Sequence, residues 1–230
     1  MLQFDRVRFE ILRDPVVRDF SLSLGAGEVK TLFGPSGCGK TTVLRLAAGL
    51  ETPKSGCLKN SFAKTGFLFQ ENRLLPNLTA LQNITVFMAG PDTAAACALA
   101  ARVGLERGDL NKYPAELSGG MAKRVAFLRL LLCGCDLALL DEPFVGLDRD
   151  LRGILAAMLA ERTAGQGLAC LLVTHDRFEA ARLSHEILLL SRKGMAVERR
   201  IRLPENLSER DDAYESRIVA EQFQGIHYYD

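Results

Sequence analysis

Residues 34–42 read GPSGCGKTT, a run of the residue types that hold phosphate. Gly34, four further residues, Gly39, Lys40 and Thr41 fit the spacing G-x-x-x-x-G-K-[ST]. Glycines at such spacing let backbone N–H groups wrap phosphate oxygens, and a helix beginning at Lys40 adds the positive end of its dipole. Lys40 supplies a point charge and Thr41 a hydroxyl for Mg²⁺. An ordinary strand-to-helix turn has no need of a lysine followed by two threonines. Further along, LALLDEP sets Asp141 beside Glu142. Where a strand ends, the chain can turn so that the first carboxylate supports Mg²⁺ and the second approaches an attacking water. Without the phosphate loop upstream, the same DEP reads as a solvated acidic turn. His175 follows another apolar run, placed to hydrogen-bond a terminal phosphate or to hold the water-activating carboxylate. His185 and His227 lack such placement and are given no role.

A second serine-glycine turn stands at residues 117–121, LSGGM, before the helical pattern MAKRVAFLRLLL. Ser118 is a good N-cap, and Gly119 and Gly120 leave the first N–H groups of the helix uncovered. Local chemistry allows two readings, a capped helix or a second anion-binding terminus.

The elements that must position these residues emerge from hydrophobic patterning. VKTLF (29–33), LALL (137–140) and LACLLV (168–173) are short apolar runs, each followed directly by polar residues, as suits strands buried on both faces. Helical patterns separate them, so the order is βα repeated and predicts a parallel sheet with its polar clusters at the carboxyl ends. Before Gly27, LQFDRVRF and DFSLSL predict edge strands of a smaller antiparallel sheet. Between about Leu75 and Leu132 the pattern is helical and no strand is evident, which reads as an inserted helical lobe. The charged stretch from about Arg199 to Asp212 reads as a surface segment leading into a last short helix.

Composition narrows the class. The chain has 230 residues, 48% of them hydrophobic, enough for one large domain or a domain with an inserted lobe. With 29 basic and 28 acidic residues the net charge is +1, which gives no general pull toward nucleic acid or anionic lipid. The N-terminal MLQFDRVRFE lacks the basic-then-apolar order of a secretory signal, so export is not expected. No apolar run approaches the roughly 20 residues that span a bilayer. Cys38, Cys57, Cys97, Cys133, Cys135 and Cys170 lack paired CxxC spacing and read as small buried apolar residues of a reduced protein.

GPSGCGKTT, FLFQE, LSGGM, LALLDEP, GLD and TH, in this order, resemble the nucleotide-binding subunit of an ATP-binding-cassette (ABC) transporter, over essentially the whole chain. The resemblance implies an α/β fold of the P-loop NTPase kind: a RecA-like parallel sheet core, an N-terminal antiparallel β-subdomain and an inserted helical subdomain. Residues 1–74 and 133–230 would form the core and 75–132 the helical part of a single ABC ATPase domain. ATP and Mg²⁺ are the implied ligands. Gly34, Pro35, Ser36, Gly37, Cys38, Gly39, Lys40, Thr41 and Thr42 would hold ATP, with Thr41, Gln70 and Asp141 about the metal. Gln70 would sense metal and water, Glu142 would be the general base and His175 the switch on the terminal phosphate. Two cassettes pack head to tail in this family, so Ser118, Gly119, Gly120 and Asp148 would serve nucleotide held by the partner copy.

The stretch QENRLLPNLTALQNI (70–84) matches the segment that receives coupling helices, which implies membrane permease subunits docking near residues 70–90 and a location on the cytoplasmic face of the membrane. RLLPNLT, LSGGM and the tail IRLPENLSERDDAYESRI are similar to importer cassettes of the nitrate, sulfonate and taurine group, which work with a solute-binding protein. An exporter or lipid-handling cassette shares every catalytic motif and stands as the alternative. Cassette ATPases acting on DNA or ribosomes carry a coiled-coil insertion or a second cassette, and neither a heptad run nor a repeat is present. The family sets an aromatic residue about two dozen positions before the phosphate loop; here Ile11 stands there, with Phe9 the nearest ring.

Overall fold

The computed structural model describes residues 1–90, 92–192 and 194–226, and His227 lies outside them. In chain order the elements are β1 (Leu2–Ile11), β2 (Asp14–Leu24), β3 (Val29–Phe33), α1 (Lys40–Ala47), β4 (Ser55–Asn60), β5 (Thr65–Leu68), α2 (Ala80–Thr85), α3 (Thr93–Arg102) and α4 (Gly119–Leu132). They continue as β6 (Leu137–Asp141), α5 (Arg149–Gln166), β7 (Ala169–Thr174), α6 (Arg177–Leu183), β8 (Glu186–Leu190), β9 (Val197–Arg202) and α7 (Asp212–Gln222).

The larger sheet has the order β5-β6-β7-β3-β8-β9, parallel except for β9, which pairs antiparallel with β8. Its central strands are buried on both faces, and alternate side chains feed two separate cores. Ala138 and Leu140 join the core beneath α4 and α5, whereas Leu137 and Leu139 join the core shared with the smaller sheet and α1. The smaller sheet, β2-β1-β4, is antiparallel, as the alternation in LQFDRVRF predicts. Between residues 75 and 132 the described residues hold only helices, with Ile84, Ala96, Ala100 and Phe127 among those that join them to the first core. Among the described residues no helix is long and apolar enough to cross a membrane.

The segment 199–212 departs from its reading as a surface tail. Residues 199–202 belong to β9, and Ile201, Leu203 and Leu207 are buried. Arg210 is only 4% exposed, and its guanidinium donates to the carbonyls of Ala181 (2.9 Å), Ser184 (2.7 Å), Leu203 (3.0 Å) and Glu205 (2.7 Å). A fixed planar fork can satisfy several carbonyls at once, so the charge of Arg210 marks a tie between α6 and the segment after β9, while Arg199, Arg202, Glu209 and Asp212 are exposed. The cysteines also divide: Cys38, Cys133, Cys135 and Cys170 are buried, but Cys57 is exposed. His185 has a structural bond, its Nδ1 accepting from the Val29 N–H at 2.9 Å.

Arg210→Met would leave those carbonyls unpaired in a buried place. The expected cost is about 3 kcal/mol, a fall of about 6–12 °C in Tm, read by thermal unfolding with the far-ultraviolet spectrum unchanged below the transition.

Candidate functional site

Four strand ends share one edge of the large sheet. Phe33 pairs with Thr174, Asp141 with Val173 and Leu68 with Leu140, so the carboxyl ends of β3, β7, β6 and β5 lie side by side. The phosphate loop, Thr174–His175, Asp141–Glu142 and Phe69–Gln70 all emerge there.

The loop's shape depends on its glycines. Gly39 caps α1 in a left-handed conformation (φ 114°), and a Cβ there would meet Val16 Cγ1 and the Val16 carbonyl, each at 3.0 Å. Any side chain would force the loop away from β2. Lys40, 6% exposed, donates from Nζ to the carbonyls of Gly34 (2.6 Å) and Pro35 (2.8 Å). Cys38 lies beneath the loop, and burial pushes its thiol up. Pro35 is buried, Ser36, Gly37 and Thr41 are exposed, and Thr42 is half-buried.

Thr41 Oγ1 donates to Asp141 Oδ2 at 2.9 Å, joining the loop to the end of β6. Burial raises the Asp141 carboxyl above its usual range, opposed by the Thr41 bond. A hydroxyl and a carboxylate oxygen so close are hard donors of the kind Mg²⁺ takes, with water completing its shell. The residues therefore fit the metal: Thr41 and Asp141 would hold it, with Gln70 exposed in the loop after β5.

Glu142 adopts a left-handed conformation (φ 48°), sparsely populated for a side chain of its size. Its N–H donates to the Val173 carbonyl at 2.9 Å, tying it across to β7. That turn brings Glu142 Oε1 to 3.1 Å from His175 Nδ1, and the pair is half-buried. A carboxylate held by an imidazole at the mouth of a phosphate loop can accept a proton from water.

Ser118 and Asp148 are placed differently. Ser118 caps α4, accepting from the Met121 N–H at 3.3 Å, and Asp148 caps α5, accepting from the Leu151 N–H at 2.9 Å. Ser118, Gly119 and Asp148 are exposed, and among the described residues neither cap hydrogen-bonds the phosphate loop. Phe9 packs against the core shared by the two sheets, whereas Ile11 is 51% exposed.

Motif and spacing alone do not single out Lys123 or Arg152. Lys123 Nζ donates to the carbonyls of Glu142 (3.1 Å) and Val145 (2.7 Å), and Arg152 bridges the Leu147 carbonyl (2.9 Å) and Asp176 Oδ2 (3.1 Å). A lysine inside the apolar run MAKRVAFL is the available signal for the first.

Residues 17–145 match the family model described as ABC transporter. The chain belongs to that family. It is the ATP-binding, ATP-hydrolysing subunit of an ABC transporter. Over 217 residues it is 41% identical to the aliphatic sulfonates import ATP-binding protein SsuB 1 of Pseudomonas savastanoi pv. phaseolicola, covering 92% of this chain and 90% of that protein. The protein of the same function name from Bacillus subtilis is 38% identical over 190 residues, 79% of this chain and 74% of its own length. Among solved structures, a dimeric bacterial ABC transporter cassette is similar with TM-score 0.78 and 27% identity, over 88% of this chain and 99% of that one. A dimeric cassette in a post-hydrolysis state bound to ADP and Pi gives TM-score 0.75 at 27% identity, over the same shares.

Glu179, 8% exposed, hydrogen-bonds Thr174 just before His175, and burial pushes its carboxyl up from 4.5 to about 7. It keeps its proton in the fold at pH values where the unfolded chain has lost it. Its contribution to stability is therefore complete below pH 4.5 and is lost as the pH climbs through about 7. Urea unfolding across that window should show a decline, on the order of 3 kcal/mol, that Glu179→Gln flattens.

Proposed function

We propose that two copies of this cassette, or this chain and a like one, clamp ATP head to tail and drive a permease that imports an aliphatic sulfonate. The observation that carries the catalytic half is the Glu142–His175 contact at 3.1 Å beside the Thr41–Asp141 bond, both at the mouth of the phosphate loop. Gly34 to Thr42 wrap the phosphates, and Lys40 exchanges its loop carbonyls for phosphate oxygens, which are the stronger acceptors. Glu142 takes a proton from the attacking water as the bond from the terminal phosphorus to ADP breaks. His175 holds that carboxylate and contacts the departing phosphate. When bound, Mg²⁺ at Thr41 and Asp141 neutralises charge developing on the phosphate oxygens, and Gln70 reaches the same region.

Ser118, Gly119, Gly120 and Asp148 act on the nucleotide of the partner. The exposure of Ser118, Gly119 and Asp148, the lack of hydrogen bonds from either cap to the loop of its own chain, and the dimeric cassettes that this fold resembles support that reading. Nucleotide then acts as glue that hydrolysis removes, so chemistry becomes opening and closing.

The helical part, residues 75–132, forms the docking lobe. Leu75, Val86 and Phe87 are 38%, 43% and 50% exposed, an apolar strip within the region 70–90. Asn83 stiffens it by accepting from the Leu75 N–H at 2.7 Å and donating to the carbonyls of Leu75, Leu78 and Thr79. Permease subunits seated there hold the chain at the cytoplasmic face of the membrane, with a solute-binding protein delivering the substrate from the other side. Sulfonate import is the reading favoured by the names of the relatives at 38–41% identity.

Glu142→Gln should lower phosphate release by about 100- to 10,000-fold and cause ATP-dependent pairing visible by light scattering. Normal hydrolysis in that variant would remove Glu142 as the base. For the substrate, cells lacking this chain should fail to grow on an alkanesulfonate as sole sulfur source yet grow on sulfate; growth on both rejects the sulfonate assignment.

A further inference from the structure

The loop from Glu142 to Leu147 is held by two cations from two different helices. Lys123 of α4 caps the carbonyls of Glu142 (3.1 Å) and Val145 (2.7 Å), and Arg152 of α5 caps that of Leu147 (2.9 Å). Lys123 is 8% exposed and lies on a stretch of helix where Val125, Ala126, Phe127 and Leu128 are all buried. An apolar side chain of similar length would fill that place without the cost of desolvating an ammonium. What the ammonium adds is a fixed position for two carbonyls, one of them belonging to Glu142 itself. That residue sits in a left-handed conformation, which persists only where its surroundings over-determine it. The Val173 bond holds its N–H side and Lys123 holds its carbonyl side.

Lys123 is also little more than one helical turn from Ser118, the cap of the same helix. We infer that Lys123 is a positioning residue. It carries the seating of the Ser118–Gly120 turn to the Glu142 carboxylate of the same chain, and so links the two nucleotide sites of a pair. The link rests on the head-to-tail reading above, in which the turn serves the nucleotide held by the partner's phosphate loop while Glu142 serves the nucleotide held by its own. A phosphate that draws on the N-terminus of α4 shifts Lys123 Nζ, and with it the carbonyl that fixes the conformation of Glu142. Val145 moves with it, and Asp148, three residues further on, takes part in the same displacement.

Lys123→Met keeps the buried stem and removes the donors. ATP binding by the phosphate loop should stay within about two-fold, while kcat falls about 10–100-fold, since small misplacements of a catalytic group cost that much. The proposed link predicts a Hill coefficient for ATP above 1 in the unsubstituted protein and about 1 in this variant. Amides of residues 144–147 should exchange with deuterium faster, a readout independent of turnover. Lys123→Arg should recover part of kcat, and Lys123→Gln gives the same split should the methionine variant not fold. An unchanged kcat and exchange rate, or a kcat loss matched by equal loss of ATP affinity, overturns the role of Lys123. Absence of ATP-driven pairing in Glu142→Gln alone overturns the head-to-tail reading and with it the link between sites.

Discussion

The register of four parallel strands is the constraint on which the site depends. Phe33 lies opposite Thr174, Asp141 opposite Val173 and Leu68 opposite Leu140, so four loops leave the sheet at one edge. Strands buried on both faces cannot slip by one residue without exchanging the side chains of the two cores. Leu137 and Leu139 would then have to fill the space shaped for Ala138 and Leu140. Core packing thereby fixes where Lys40, Asp141, Glu142 and His175 begin, and short bonds do the rest. Glu142 N–H to Val173 and Glu142 to His175 tie the neighbouring ends of β6 and β7, and Thr41 to Asp141 ties the first turn of α1 to the end of β6.

Three buried cations of this framework are held by backbone carbonyls. Lys40, Lys123 and Arg210 are each 8% exposed or less, and the terminal nitrogens of each donate to carbonyl oxygens. Carbonyl dipoles satisfy a buried cation without adding a countercharge that would have to be buried too. At Lys40 this bears on its proposed phosphate role. Neutral acceptors compete weakly with a charged phosphate oxygen, so the cation is kept ordered without being committed. A carboxylate in their place would hold Lys40 against its ligand.

The candidate site is legible in the sequence wherever it rests on local backbone shape. GPSGCGKTT, LALLDEP and TH stand out because a loop that wraps phosphate, or a carboxylate at a strand end, needs particular residues at consecutive positions. The strands Val29–Phe33, Leu137–Asp141 and Ala169–Thr174 are legible too, since burial on both faces leaves an unbroken apolar run. Strands at the rim are harder. Residues 197–202, VERRIR, have one buried position in six residues, and Ser55–Asn60 has none, so neither carries a usable alternation. Arg210 and Lys123 are hard to read for a related reason: their partners are carbonyls, which every residue possesses, so no partner residue type flags them and only the apolar surroundings of Lys123 mark it out.

Helix α4 draws its mechanical role from such carbonyl ties. Ser118 caps its start, Lys123 grips Glu142 and Val145, and near its end Arg129 donates to the carbonyls of Asn72 (3.1 Å) and Arg73 (3.0 Å), just after Gln70. Buried residues from Val125 to Leu131 make the helix a single stiff body, and a rotation at one end is felt at the other. A helix bonded to three loops cannot move for one of them alone. A tug on the serine-glycine turn therefore reaches the loop carrying Gln70 and the loop carrying Glu142 together, whereas three independently mobile loops would have to be brought into place one by one. The proposed docking strip begins at Leu75, within a few residues of the carbonyls that Arg129 holds. In the proposed docking, force from a permease would enter the same rigid body that carries the signature turn, which is the mechanical requirement for hydrolysis and transport to share one motion.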